Sequence, residues 1–549
     1  MRGGDERLAA GRDALRRHAW REAFEQFRAA DSAGPLSPKD LELLAQAAEW
    51  IGRRDVSIAA RERAHAGYLE RGNPRRAGFL ALLLTHDHFA KGQGSLATGW
   101  LRRAERLLEP ERDSVEYGHL LRARGLIAKD PDEALAHARA AHDIATRSGD
   151  RDLAALELQE QGRLLVAKGE AAEGLALLEE AVVAAVSGEL STLTTGIIYC
   201  IAIEVCRRLA DYRRAGEWTD AAQRWCERKG VLGFPGACRV YRAGILRLRG
   251  AWADAAREAA LACEEMRPYR VSVTAEAFYE LGEVRLRLGD LTGAEEAFRQ
   301  AHELGRNPQP GLALLRLAEG EVEAARSAIR SALADDPHDR LGRAQLLPAQ
   351  VEIAIAADEP EAARAAADEL EAIAGVYRTP ALEAAAACAR GLVHLTTGDD
   401  AEARRSLRAG WRIWQQLEAP YEAARARTWL AAALRAGGDA ETASLELQAA
   451  RASFERLGAP LDVAHVVEML AGEAPARAAG PEPGRAETRT FMFTDIVRST
   501  QLIEAIGDEA WADLVRWHDQ TLRALFGAHG GEEVDHAGDG FFVAFPTAG

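Results

Sequence analysis

The sequence predicts a mostly α protein in two parts: a superhelix of antiparallel helix pairs over residues 5–457, and a small α+β module over residues 490–549. Three observations carry this. A fixed spacing of small residues recurs through the first part, residues 470–489 show no hydrophobic period, and beyond them the apolar pattern changes from helical to extended.

At 549 residues the chain is too long for one core, so several units, or one solenoid with an appendage, are expected. Asp and Glu outnumber Lys and Arg by 85 to 69, a net charge of −16, which argues against a general electrostatic hold on nucleic acid or anionic lipid. Only five of the basic residues are Lys and Ala is abundant, a bias that GC-rich bacterial coding produces without a functional cause.

The six cysteines (Cys200, Cys206, Cys226, Cys238, Cys263 and Cys388) form no C-x-x-C pair and lie inside apolar helical patterns, as reduced, buried thiols of a cytoplasmic protein do. The start, "MRGGDERLAAGRDALRR", lacks the apolar run of a signal peptide. The most apolar stretch, "TTGIIYCIAIEV" (194–205), is far shorter than a bilayer requires and reads as a helix buried on most sides. No membrane partner is expected.

In "AFYELGEVRLRLGDLTGAEEAFRQAHELG" the small residue Gly282 is followed by Gly289, Ala294, Phe298 and Ala301. The same spacing recurs at Gly162/Gly169/Gly174/Leu178/Ala181, at Ala243/Gly250/Ala255/Ala259/Ala262, at Gly391/Gly398/Ala403/Leu407/Gly410 and at Ala431/Gly438/Ala443/Leu447/Ala450. Small residues suit places where two helix backbones cross closely, and the central Gly suits the left-handed residue that ends a first helix. The pattern resembles the tetratricopeptide repeat. With weaker copies at Gly11/Ala23/Phe27/Ala30, Ala97/Leu101/Ala104 and Ala134/Ala138/Ala141, about twelve helix pairs are expected between residues 5 and 457. Such pairs bury their apolar faces by stacking and leave a concave groove for a protein partner or peptide. Trp218, Trp225, Trp411 and Trp414 stand at helical spacing, where they either line this groove or pack in the core.

Residues 190–330 also resemble the helical-repeat region of large bacterial LuxR-type regulators, in which a helix-turn-helix usually follows. Here the flexible-linker composition of "LAGEAPARAAGPEPGRAETR" (470–489) follows instead, so nucleic acid is not expected as a partner. None of the five Lys precedes Ser or Thr, which excludes a P-loop within the sequence.

After this linker, "TRTFMFTDIV" (488–497) reads as a central strand. A helical stretch follows, with apolar positions Leu502, Ile503, Ile506, Trp511, Leu514, Val515, Leu522 and Leu525, a break near Gly507 and an end at Gly530-Gly531. "EEVDHAGDGFFVAF" (532–545) reads as a hairpin turning at Gly538-Asp539-Gly540. If the hairpin lies beside the first strand, Asp495 and Asp539 approach each other, and two neighbouring carboxylates repel unless a cation joins them.

"FTDIVRST" and "HAGDGFFVAF", whose aspartates stand forty-four residues apart, together resemble the first part of a class III adenylate/guanylate cyclase catalytic domain. The resemblance implies an incomplete α+β, ferredoxin-like domain in which Asp495, Asp539 and the backbone carbonyl of Ile496 hold two Mg²⁺ or Mn²⁺ ions. One ion would activate the ribose 3′-hydroxyl for attack on the α-phosphate, and the other would neutralise the triphosphate. The amides of Val497, Arg498, Ser499 and Thr500 would meet phosphate oxygens. Arg498 stands where the family commonly has Gly. Asp535 stands where adenylate cyclases have Lys and guanylate cyclases Glu for reading the base, which leaves ATP and GTP both open as substrate.

The Asn and Arg of the family's transition-state machinery are expected beyond Gly549, so no catalytic residue is assigned within the chain and little turnover is expected from it. A homodimer through the cyclase domains is implied, because the family's sites form between two domains. The leading expectation is therefore a cytoplasmic signalling protein, a nucleotide cyclase regulated by a repeat superhelix. The alternative is a non-catalytic interaction scaffold carrying a cyclase remnant.

Overall fold

The computed structural model describes residues 2–229, 235–266, 271–471, 490–494, 508–537 and 540–545. The chain divides into two units, Met1–Gly472 and Glu473–Gly549.

The first unit contains twenty-five helices among its described residues, running from Arg2–Arg16 to Pro460–Ala471. Consecutive helices pack as antiparallel pairs. In the pair Arg151–Lys168 and Ala171–Val186, Gly162 faces Gly174 and Leu178 while Val166 faces Gly174, so the chain direction reverses between the two. A Cβ added to Gly162 would lie 2.6 Å from the Gly174 carbonyl oxygen, which is why the crossing needs a residue without one. The Gly282, Gly391 and Gly410 positions meet Phe298, Leu407 and Cys388 in the same way. Ala294, Phe298, Ala301, Ala403, Leu407, Ala443, Leu447 and Ala450 are all fully buried. The repeat spacing thus marks the faces that pack, and the unit is a tetratricopeptide-like helical solenoid.

The turns between helices have a local chemical cause. Gly169, Gly250, Gly289, Gly398 and Gly438 all have positive φ, the conformation that ends the first helix of a pair. Where Asp follows, its carboxylate opens the next helix: Asp290 accepts from the Gly293 amide at 3.0 Å and Asp439 from the Thr442 amide at 3.1 Å. Each such cap contributes about 1 kcal/mol. The same left-handed position is filled by His18, Ala210, Asp358 and Glu418 in other turns, where no glycine marks it in the sequence.

The stacking continues past residue 457. The helix Pro460–Ala471 packs on the preceding pair with Val466 fully buried, so residues 470 and 471 are helical, whereas the composition reads as linker from 470.

Residues far apart in sequence also meet. The Thr379 hydroxyl donates to the Leu209 carbonyl at 2.7 Å across 170 residues, and Thr192 Oγ1 meets His18 Nε2 at 3.2 Å across 174. Gly250 abuts Pro420 and Leu457, and Gly289 abuts Pro460 and Leu461. Successive turns of the solenoid therefore touch, a repeat distance of about five pairs that no local spacing encodes.

"TTGIIYCIAIEV" lies in the helix Thr192–Arg208, where Thr194, Gly196, Ile198, Tyr199, Ala202, Ile203 and Cys206 are all buried. All six cysteines are free and buried. Trp218 and Trp225 belong to the core and Trp411 packs beneath the Arg427 guanidinium, whereas Trp414, also buried, borders the cavity described below. Among the described residues no helix is long and apolar enough to cross a membrane.

The second unit contains β1 (Thr490–Thr494), the helix Asp508–Ala528, β2 (Glu532–Ala537) and β3 (Gly540–Phe545). The strands form an antiparallel sheet in the order β1-β3-β2, with a register shift between Glu533 and Asp535. Phe526 covers it, buried against Phe541 with ring centroids 5.4 Å apart. Leu522 packs on the same cluster, whereas Leu525, expected on the apolar face, is half exposed; Phe526 takes the inward place one position on.

Candidate functional site

Asp495, Ile496, Val497, Arg498, Ser499, Thr500 and Asp539 lie outside the described residues. Asp535 lies on β2 opposite Phe542. What the structure gives is the frame around them. β1 and β3 run antiparallel with Thr494 opposite Phe541, and the Phe541 amide donates to the Thr494 hydroxyl at 3.2 Å. The end of β1 and the start of β3 are therefore at the same end of the sheet. Among the described residues no group of three His, Cys, Asp or Glu side chains is placed to hold a metal ion.

The first unit holds a site that the sequence analysis did not find. Its first helices, from Thr192–Arg208 through Pro420–Ala436, line a cavity of about 270 Å³. Arg207, Arg247 and Arg287 stand forty residues apart, in the last turns of three successive first helices, where a cation also favours the helix dipole. The stacking of pairs brings them onto one wall of the cavity. This forty-residue recurrence was legible in "VCRRLAD", "ILRLRGAW" and "VRLRLGD", but it stands outside the small-residue pattern that defines the repeat.

Two glutamates bind these arginines together. Arg247 Nε donates to Glu280 at 2.9 Å and its Nη1 lies 3.5 Å from Glu283; Arg287 Nη1 donates to Glu283 at 2.7 Å; Arg207 Nη1 lies 3.6 Å from Glu280. The Tyr279 hydroxyl donates to the other Glu283 oxygen at 3.2 Å. Arg425 pairs with Glu352 and lies 3.6 Å from Glu422, which is itself 3.8 Å from Arg287 Nη2.

Aromatic rings hold the guanidinium groups in place. Arg306 lies over Tyr279 at 4.0 Å, Arg425 over Trp429 at 4.7 Å and Arg207 over Tyr241 at 5.5 Å.

Burial disfavours charge here, yet the pairing wins. Burial pushes the Glu280 and Glu283 pKa values up, but Arg247 and Arg207 around the first, and Arg287 and Arg247 around the second, outweigh it and leave both lowered. Burial likewise opposes the charge on Arg207 and Arg247, and the surrounding glutamates overcome it, raising both. The pairing thus favours the charged forms of Glu280, Glu283, Arg207 and Arg247. Arg207 Nη1 is buried without a hydrogen-bond partner among the described residues.

No family model matches the chain, and a search of curated proteins finds no match either. Among solved structures it is similar to the anaphase-promoting complex hetero-tetramer Cut9-Hcn1, at 13% identity over 84% of this chain and 96% of that one, with a TM-score of 0.44. It is also similar to a tetratricopeptide repeat protein from Parabacteroides merdae ATCC 43184 (16% identity, 48% and 97% covered, TM-score 0.29). A third is yeast Tom70 (13% identity, 86% and 97% covered, TM-score 0.26).

Proposed function

We propose that the chain works as a binding scaffold whose repeat unit engages a protein partner or peptide. The observation that carries this is the solenoid itself: each helix pair spends its apolar face on its neighbours, which leaves the outward faces of twelve pairs as a long, ordered surface with no other role in the fold. The test is to recover the full chain and the segment 1–472 from native cells and compare them by size-exclusion chromatography with light scattering and mass spectrometry. One partner co-eluting in fixed stoichiometry with both is expected; elution of both as bare chains contradicts the reading.

A second reading is that the second unit serves a class III nucleotide cyclase. It is favoured by the sheet order and by the register that sets Thr494 beside Phe541, because these bring the strand ends that flank Asp495 and Asp539 to one end of the sheet. On this reading Asp495, Asp539 and the Ile496 carbonyl take two Mg²⁺ or Mn²⁺ ions, and Val497 to Thr500 together with Asp535 meet ATP or GTP. A homodimer would complete the site. Mn²⁺-dependent binding of a non-hydrolysable ATP or GTP analogue to the full chain, lost in Asp495→Asn, is the expected result. Equal binding by wild type and variant, or none with either nucleotide, removes the cyclase and leaves the scaffold.

A further inference from the structure

We infer that the cavity of the repeat unit is a binding site for a small oxyanion-bearing molecule, a phosphate or carboxylate compound.

A cavity of about 270 Å³ lies at the small end of ligand pockets and takes a compact metabolite. Its walls are too polar to stay dry, so it holds either water or a ligand that replaces water's hydrogen bonds.

The walls decide the chemistry by what they lack. Both carboxylate oxygens of Glu283 are already engaged, by Tyr279 and Arg287, and Glu280 lies between Arg247 and Arg207. The charges are largely paired, with Arg306 and Arg208 reaching outward to Glu276 and Asp339. Hydrogen-bonding capacity is not. A guanidinium offers five N–H donors and a carboxylate about four acceptor positions, so the N–H donors of the six lining arginines still outnumber the acceptor positions of the four lining glutamates together with Glu204, Glu276 and Asp339 just outside. Among the lining arginines, Arg207 Nη1 and Arg306 Nε are buried and make no hydrogen bond among the described residues; Arg207 Nη1 has only the Glu280 carboxylate, at 3.6 Å, as an ion-pair neighbour. What would complete this site is a group that only accepts, and an oxyanion is such a group. A neutral hydroxyl also accepts, but it brings a donor of its own, which an oxyanion does not.

The donors are also fixed in advance. Tyr241, Tyr279 and Trp429 hold the Arg207, Arg306 and Arg425 planes, so an oxyanion meets oriented forks and costs little ordering of side chains.

The test uses the full chain in buffer freed of divalent metals on a chelating resin, so that a metal-dependent nucleotide site cannot respond. Thermal unfolding and calorimetry are run with inorganic phosphate, acetate and succinate, against chloride at equal ionic strength. Concentration-dependent stabilisation by phosphate or by a carboxylate is expected, and which arm responds identifies the source. Ala385→Phe, which fills the cavity and keeps every charge, should weaken binding at least tenfold. Arg207→Lys, which keeps the charge and loses the fork, should weaken it several-fold and serves if the first variant fails to fold. Stabilisation by none of the oxyanions beyond chloride overturns the inference, as does unchanged affinity in either folded variant.

Discussion

At the scale of single residues, the solenoid contains groups held against their chemistry. Glu157 is fully buried; Arg122 donates to one of its oxygens at 2.8 Å, while the other has no partner among the described residues. Burial raises its pKa from 4.5 to about 7, more than Arg122 lowers it. The folded state therefore binds this proton more tightly than the unfolded chain does. The contribution to stability is complete below pH 4.5 and is lost as pH rises through about 7. Glu157→Gln should match the wild type at pH 4 and exceed it at pH 8, by on the order of 1–3 kcal/mol. Denaturant titrations at the two pH values check this; identical midpoints at pH 8 would contradict it.

Glu418 is exposed and has a φ of 54°, where a side chain costs about 1–2 kcal/mol, so Glu418→Gly should stabilise by about 1 kcal/mol in the same titrations. Its turn was not legible in the sequence because it contains no glycine, whereas Gly289 and Gly438 announce theirs.

At the scale of helices, the small-residue pattern separates two kinds of glycine. Gly162 faces the Gly174 carbonyl across a helix crossing, and an added methyl forces the pair apart. Gly162→Ala should cost about 1–3 kcal/mol. Gly99, inside the helix Gly94–Leu108, has nothing within 4 Å of an added Cβ. Gly99→Ala should instead stabilise by about 0.5–1 kcal/mol. Thermal unfolding of the two variants, moving in opposite directions, tests whether the repeat spacing encodes crossings.

This is also where sequence reasoning worked best. Gly162, Gly282 and Gly391 were legible as crossings because a 3.6-residue helix and a two-helix repeat leave a local imprint. Arg207, Arg247 and Arg287 leave none on that pattern. Each looks like an ordinary cation in a last helical turn, and only the stacking of three pairs makes them one wall.

At the scale of the molecule, the sequence showed two kinds of structure joined by an unpatterned stretch. The strand order β1-β3-β2 follows from a hairpin packing beside a preceding strand. The contacts between solenoid turns were out of reach: Leu209 and Thr379, or Gly250 and Pro420, are paired by the superhelical twist summed over several repeats, a quantity that no single repeat displays. The cavity exists only because those turns meet, so the binding site rests on this closure.

The closure can be measured as a distance. Arg249 and Glu418 are both exposed and flank the contact between Gly250 and Pro420, and the six native cysteines are buried, so spin labels at Arg249→Cys and Glu418→Cys report it without background. A stacked solenoid gives a single narrow distance set by little more than the two label arms. An open superhelix, with these residues on separated turns, gives a long or broad distribution, and that result would contradict the cavity and everything inferred from it.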